Sequence, residues 1–156
     1  MKGNNLREAL TFSVNKQKLC APVSQVREVI PLPACTHIPL ALGCIDGLIS
    51  LRGHVITQID MRQALKLPRR VDNSQSKILV TEIKSGEVVG IVVDEVGEVL
   101  ILNHEDMESV PMSLEKCWRK IGKNVIKRKD ELVVLVDMDA LFMMTLPETL
   151  DLIHDM

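Results

Sequence analysis

Short apolar runs separated by polar or glycine-containing breaks recur along the chain, a pattern typical of strands joined by tight turns. The clearest example lies in residues 46–62, where the largely apolar run 48–51 precedes Arg52-Gly53 and apolar residues resume at Val55. Gly53 can adopt a positive φ without steric cost. This stretch therefore predicts a β-hairpin whose turn is Arg52-Gly53.

A short helix is predicted directly after this hairpin. Asp60 precedes residues 61–67, and its carboxylate can accept hydrogen bonds from the free N–H groups of a first helical turn. Pro68 then ends the run, because proline cannot continue a helix. The predicted unit is strand, turn, strand and short helix.

The same pattern predicts two further hairpins, at residues 10–21 and 77–93, and a last strand at 131–136. Residues 23–30 have apolar side chains at helical spacing, but residue 30 precedes a proline and so disfavours the α region. A single turn running into a strand satisfies both signals. Asn103 is placed to cap one further helical turn.

The remaining segments are predicted to be less regular. Residues 31–45 contain three prolines and are expected to cross the surface, and residues 69–76 are polar and turn-rich, as a linker would be. Residues 113–129 are predicted to be irregular, and the tail after Met138 is helix-prone until Pro147 interrupts it.

Two internal matches suggest a duplication. Asp60-Met61 after an apolar strand resembles Asp137-Met138, at an offset of 77 residues. The segment 26–30 likewise resembles 96–100, at an offset of 70. Two matches in the same order predict duplicated small β-units packed side by side.

Composition favours a single domain with a substantial core. A chain of 156 residues with 46% hydrophobic content is expected to bury roughly 68–70% of its unfolded surface. The net charge of −2 and the pI near 6.1 predict no general attraction to nucleic acid or anionic lipid. No apolar run reaches the ~20 residues of a membrane span, and the N-terminus lacks a signal-peptide core. We therefore expect a cytoplasmic protein without membrane insertion.

Sequence motifs for catalysis, cofactors and metals are missing. The four histidines are far apart and none stands at a zinc-like spacing, so no metal is expected. No phosphate-binding or nucleophile motif is present, so neither a cofactor nor an enzyme activity is predicted. The four cysteines form no C-x-x-C pair and are interpreted as small buried hydrophobes in a reducing compartment. Asp94, Glu95 and Glu98 are interpreted as a solvated strand edge.

One segment carries a local excess of positive charge around the single tryptophan, Trp118. Its seven cations are Lys116, Arg119, Lys120, Lys123, Lys127, Arg128 and Lys129. It could bind an acidic partner or nucleic acid, or it could be a solvated surface. Nucleic acid is the less favoured partner, because one Trp, two Phe and no Tyr leave few platforms for base stacking.

Several motifs taken together resemble the CheW-like coupling domains of bacterial chemotaxis. They occur in that family's order and span residues 8–143: Val26-Arg-Glu-Val-Ile-Pro31, Ile38-Pro39, Gly47 to Arg62 with its Leu51-Arg52-Gly53, Val89 to Leu100, and Leu132 to Leu141. The chain departs from the family pattern at Ser50, where Asn is common, and at Asp130, where a hairpin Gly is usual. It also lacks an aromatic-Gly pair at residues 19–22.

The resemblance implies a mainly β fold of two small SH3-like five-stranded β-barrels with short helices that share one core. We expect one domain over residues 1–156, with lobes at roughly 15–68 and 77–135 completed by the terminal segments. Members of this family are not enzymes. They link the cytoplasmic tip of a methyl-accepting chemoreceptor to the regulatory domain of a chemotaxis histidine kinase, within membrane-associated receptor arrays.

The resemblance also assigns partner-binding residues by matched position. Glu28, Arg52, Gly90 and Val99 are expected on the receptor- or kinase-coupling faces, with Gly53 at the same hairpin tip as Arg52. Leu10, Val23 and Val26 are expected to form an apolar patch that meets the kinase. Two alternatives stay open at this level: a small β-barrel that binds nucleic acid through residues 116–129, and an orphan CheW-like domain that inhibits array assembly.

Overall fold

The computed structural model describes residues 6–32, 45–69 and 74–145, and within them it has eleven strands and three short α-helices. The strands are β1 (Leu6–Val14), β2 (Gln17–Pro22), β3 (Val26–Pro31), β4 (Ile45–Leu51), β5 (His54–Asp60), β6 (Lys77–Glu82), β7 (Val88–Val93), β8 (Glu95–Asn103), β9 (Met107–Glu108), β10 (Gly122–Arg128) and β11 (Glu131–Val136). The helices are α1 (Met61–Ala64), α2 (Lys116–Ile121) and α3 (Met138–Thr145), with single 3₁₀ turns at Val23–Gln25 and His104–Asp106.

The strands form two sheets. The larger sheet has the order β8-β1-β2-β11-β10-β9, and the smaller sheet has the order β3-β6-β7-β5-β4. Neighbouring strands are antiparallel except at the centre of each sheet, where β2 pairs with β11 and β5 pairs with β7 in parallel. The predicted mainly β fold with two β-units and short helices is confirmed.

Apolar side chains form three clusters. One is shared between the two sheets, and each sheet also has a cluster of its own. The shared cluster joins residues of the larger sheet, such as Phe12 and Leu19, to Ile59 and Ile91 of the smaller sheet, and Leu141 of α3 also belongs to it. The two sheets therefore have a common apolar core in addition to their own interiors.

Strand pairing in the two sheets repeats at the offsets seen in the sequence. The parallel pair Gln58 with Gly90 in the smaller sheet matches Leu135 with Cys20 in the larger one. The hairpins β4–β5 and β10–β11 are identical in register at an offset of 77, including a register shift between residues 45 and 47 that recurs between 122 and 124. This correspondence supports the predicted duplication.

The two sheets draw on different spans of the chain. The smaller sheet consists of strands within residues 26–93. The larger sheet combines the N-terminal hairpin, residues 6–22, with strands from residues 95–136. β2 pairs with β11, so the N-terminal hairpin belongs to the same sheet as the strands of residues 95–136. The predicted lobes, at 15–68 and 77–135, are divided by position along the chain and so cannot show this pairing. The lobe boundaries stay a prediction.

Most local predictions are confirmed. Both residues of the central turn have positive φ, at 52° for Arg52 and 82° for Gly53. Asp60 caps α1 by accepting the N–H of Arg62 at 2.9 Å. The helix is shorter than predicted and ends at Ala64, because Lys66 adopts a left-handed φ of 59° that ends the helical turn.

The prediction of an irregular segment at 113–129 is wrong. This segment contains α2 and β10, and Trp118 and Ile121 of α2 are buried. Burial of these two side chains, three residues apart and so on one helix face, fixes the helix against the shared core. The predictions for residues 33–44, for residues 70–73 of the linker and for the tail after Thr145 lie outside the described residues.

Candidate docking groove

A groove forms where the two edges of the smaller sheet approach each other. Arg52 at the tip of the β4–β5 hairpin forms an ion pair with Glu28 of β3. Because β3 and β4 are the outermost strands of this sheet, the pair spans from one edge to the other. The Arg52 side chain is 74% exposed and that of Glu28 is 22% exposed. Arg52 is thus held in place while most of its guanidinium-bearing side chain still faces solvent.

The groove has a volume of about 690 Å³ and is lined by apolar and polar side chains. We call its apolar lining residues the floor; they are Leu51, Val55, Ile56, Val80 and Val88. We call its polar lining residues the rim; they are Arg27, Glu28, Arg52 and His54. Val55 is 66% exposed. A second ion pair, Arg27 to Glu82, borders the rim with an Nε–Oε1 distance of 2.9 Å. An apolar surface bordered by charged residues suits burial against another protein.

Gly90 lies beneath this groove, buried in the interior of the smaller sheet. A Cβ atom built on Gly90 would lie 2.9 Å from Ile78 Cγ2 and close to the ends of Ile49 and Ile56. Ile56 also lines the groove. Gly90 is therefore placed to support the floor of the groove, and a side chain at this position would displace residues that shape it.

The other predicted partner-binding residues are spread over both sheets. Leu10 of β1 and Val26 of β3 are half-buried and pack against the shared core. Val23, in the 3₁₀ turn between the sheets, is 37% exposed and lines a cavity with Glu8 and Lys123. Val99 of β8 pairs with Leu10 and is 48% exposed. The structure brings together Glu28, Arg52, Gly53 and Gly90, and it places Val99 on the larger sheet.

The cations of residues 116–129 lie along α2 and β10, and this segment has no exposed aromatic ring. Trp118 is only 3% exposed, so its ring cannot stack on a nucleobase. Arg119 is tied to the Leu114 carbonyl at 2.9 Å, and Lys127 pairs with Glu108 at 3.7 Å. This arrangement disfavours the nucleic-acid alternative.

Sequence reasoning missed a part-buried ion pair between Arg62 and Asp94. The interpretation of Asp94 as part of a solvated strand edge is wrong, because its side chain is only 19% exposed and accepts from Arg62 Nη2 at 2.6 Å. Glu95 and Glu98 are exposed, as expected. The repeated Asp-Met dipeptide was the available signal. The residue that follows it, Arg62 in the first repeat and Asp139 in the second, makes the contact toward the other sheet.

The geometry contains nothing resembling a metal centre in the part of the chain that the structure describes. There, no group of three or more His, Cys, Asp or Glu side chains is placed to share a metal ion. Burial raises the pKa of the Cys20 thiol to about 12, which keeps it protonated at neutral pH. Within residues 6–32, 45–69 and 74–145, no helix combines the length and apolar composition needed to cross a bilayer.

Two sheets that share a core, with a charged and apolar groove at the end of one of them, define a protein-binding domain, and comparison with known proteins names its family. The CheW-like domain family model matches residues 8–145, and the chain belongs to that family. The chemotaxis protein CheW of Rhizobium meliloti is 29% identical over 139 residues, which are 89% of each chain. The chemotaxis protein CheW of Bacillus subtilis is 28% identical over 131 residues, covering 84% of this chain and 83% of that one.

A solved structure has the same fold. The crystal structure of the scaffolding protein TtCheW from Thermoanaerobacter tengcongensis aligns with a TM-score of 0.78 at 26% identity, covering 87% of both chains.

Proposed function

We propose that this protein is a non-enzymatic adaptor that links chemoreceptors to a chemotaxis histidine kinase. Family membership and the scaffolding relative support this role. The observation that carries it is the groove, where the Glu28–Arg52 pair fixes a mostly exposed arginine side chain beside apolar lining residues. Such a surface supplies apolar area for affinity and a fixed charge for partner selection, and it needs no catalytic group.

The two partners are proposed to be the cytoplasmic tip of a methyl-accepting chemoreceptor and the regulatory domain of the kinase. Glu28, Arg52 and Gly53 would contact a partner directly, and Gly90 would shape the groove from below. Val99, nearly half exposed on the other sheet, offers a second apolar contact. Occupying both sheets at once is what an adaptor requires.

The apolar patch proposed to meet the kinase is Leu10, Val23 and Val26. Val23 is the most exposed of the three and would contribute most of the direct contact. Leu10 and Val26 are anchored in the shared core, so only part of each side chain remains for a partner. We infer a cytoplasmic location, with recruitment to membrane-associated receptor arrays through the receptor.

Co-elution with each partner separately and then with both tests the proposal. At ~0.3 M salt, surface electrostatics are largely screened, and an apolar interface persists. A ternary complex with kinase regulatory domain and receptor tip is the expected result. Binding to one partner alone would favour a domain that inhibits array assembly, and binding to neither would reject the adaptor role.

A further inference from the structure

A polar junction connects the two sheets at a point that no predicted partner-binding residue occupies. Arg62, at the start of α1, donates from Nε to Asp94 Oδ1 at 3.0 Å and from Nη2 to Asp94 Oδ2 at 2.6 Å. The same Oδ2 accepts the backbone N–H of Asn15 at 2.8 Å. Asn15 lies in the β1–β2 turn, so the junction ties α1 of the smaller sheet to a hairpin of the larger sheet.

The junction is directional and largely screened from water. The side chains of Arg62 and Asp94 are 15% and 19% exposed. Arg62 Nη1 also donates to the Pro68 carbonyl at 2.8 Å, and the Asp94 N–H donates to the Ser13 carbonyl at 3.0 Å. A two-pronged contact between a guanidinium and a carboxylate fixes orientation as well as distance. Apolar contacts in the shared core are not directional in this way.

A reciprocal contact occurs at the equivalent position of the other repeat. Asp139, two residues after Asp137 as Arg62 is two residues after Asp60, accepts the backbone N–H of Lys84 at 2.9 Å. Lys84 belongs to the β6–β7 turn of the smaller sheet, and α3 follows the last strand of the larger one. α3 thus contacts the hairpin turn of the opposite sheet directly through Asp139, and α1 reaches the opposite turn through Asp94. The α1 contact includes the part-buried ion pair.

We propose that Arg62 and Asp94 are positioning residues, which set the angle between the two sheets and so hold the groove of the smaller sheet in a fixed orientation relative to Val99 on the larger sheet. This inference rests on the proposed adaptor function. A scaffold that binds two partners gains from a fixed geometry, because the partners are then held in one orientation relative to each other and the energetic coupling between their sites is kept. Without the junction the shared core would still hold the sheets together, but their relative angle would be less restricted.

The test compares Arg62→Gln and Asp94→Asn with the parent protein. Each partner is titrated singly, and kinase stimulation is then measured with receptor and kinase together. We expect binding of each single partner within about twofold of the parent, and a loss of at least about tenfold in stimulation with both present, which is within the usual range for lost coupling between two sites. Arg62→Lys keeps the charge but not the two-pronged contact, and it should retain an intermediate level. Lys127→Gln, which removes an ion pair within one sheet, is the control and should behave as the parent.

Two results would overturn the inference while leaving the adaptor role intact. One is unchanged stimulation in Arg62→Gln. The other is a loss of single-partner binding in the same proportion as the loss of stimulation, since that pattern indicates damage to the fold; thermal unfolding of each variant is measured alongside. Failure of the parent protein itself to bring the two partners together would instead reject the proposed function, and this inference with it.

Discussion

The hairpins β4–β5 and β10–β11 have the same strand pairing, and in both the first turn residue has a left-handed φ, 52° at Arg52 and 51° at Lys129. Their tips differ chemically. Arg52 is paired with Glu28 across the smaller sheet. Lys129 lines a cavity of about 420 Å³ with Glu98, the residue 70 positions after Glu28, but at this cavity an ion pair joins Lys18 to Glu131 at 3.4 Å.

The two hairpins therefore share a backbone arrangement but differ in the chemistry of their tips. The first tip carries an arginine in an ion pair across its sheet, and the second carries a lysine. An arginine can make a fixed, planar contact that a lysine cannot, because the lysine charge is a flexible point. Gly53 with its φ of 82° completes the first turn, whereas Asp130 in the second turn is not among the described residues with positive φ. The two turns therefore differ in backbone conformation at their second residue. The comparison predicts that equivalent substitutions in the two repeats will differ in their effect on partners.

The largest expected effect comes from Val26→Asp, with Val96→Asp as its counterpart in the other repeat. Both valines are half-buried against the shared core, so each unpaired carboxylate should lower the free energy of unfolding by about 3 kcal/mol. Urea denaturation measures this loss. In Val96→Asp, kinase binding should fall only as far as the folded fraction of the protein falls. In Val26→Asp, it should fall further than that. Equal binding by the two variants would remove Val26 from the interface, and Val23→Asp, at a more exposed site, then tests the patch with the fold intact.

Gly90→Val should cost about 2 kcal/mol of unfolding free energy, because its Cβ would meet Ile78 Cγ2 at 2.9 Å. Its counterpart Cys20→Val fills a position that already holds a side chain of similar size, so it should cost less than about 1.5 kcal/mol. The unfolding midpoints of the two variants are compared in urea. Receptor and kinase binding by Gly90→Val should also fall, because Ile56, which lines the groove, is 3.7 Å from the added Cβ and has little room for the two further methyl groups. Normal binding would separate Gly90 from the site.

Arg52→Glu should weaken coupling about tenfold, equal to ~1.4 kcal/mol. The substitution removes the ion pair and places a second negative charge opposite Glu28. The unfolding free energy should change by less than about 0.5 kcal/mol, since the side chain is mostly exposed. Lys129→Glu is the matched control at the equivalent tip and should change coupling much less. Kinase stimulation in a reconstituted array measures both. Similar losses in the two variants would mean that the tips are not specialised.

Local signals predicted much of the fold. Tight turns at Asn15-Lys16 and Arg52-Gly53 lie between apolar runs, and both turns have the positive φ values that short hairpins require. The cap at Asp60 was equally local. The motif around Leu51-Arg52-Gly53, with the others in order, pointed to the family and so to Glu28 and Arg52 as residues of its coupling faces, while their ion pair with each other came from the structure.

The remainder depends on contacts between distant parts of the chain. Pairing of β2 with β11 joins residues more than a hundred positions apart, so chain order could not show which sheet the first hairpin joins. The six-residue helix α2 is too short for its apolar period to stand out among its cations, and a register shift interrupts alternation in β10. Arg62 and Asp94 are 32 residues apart, and only the fold brings them together.

The smallest expected effect is on the pH dependence of the unfolding free energy. It arises from the Cys20 thiol, whose counterpart in the other repeat, Gly90, has no side chain to ionise. The pKa of Cys20 in the folded protein is about 12, raised by burial from 9.0. Because the unfolded thiol releases its proton first, the stabilisation associated with Cys20 is complete below pH 9 and is lost as the pH rises from 9 toward 12. By pH 9.5 the parent should have lost about 0.8 kcal/mol more than Cys20→Val, relative to pH 8. Urea denaturation in the presence of a reductant at both pH values measures this difference, and equal losses would mean that the Cys20 thiol is accessible to water in the folded protein.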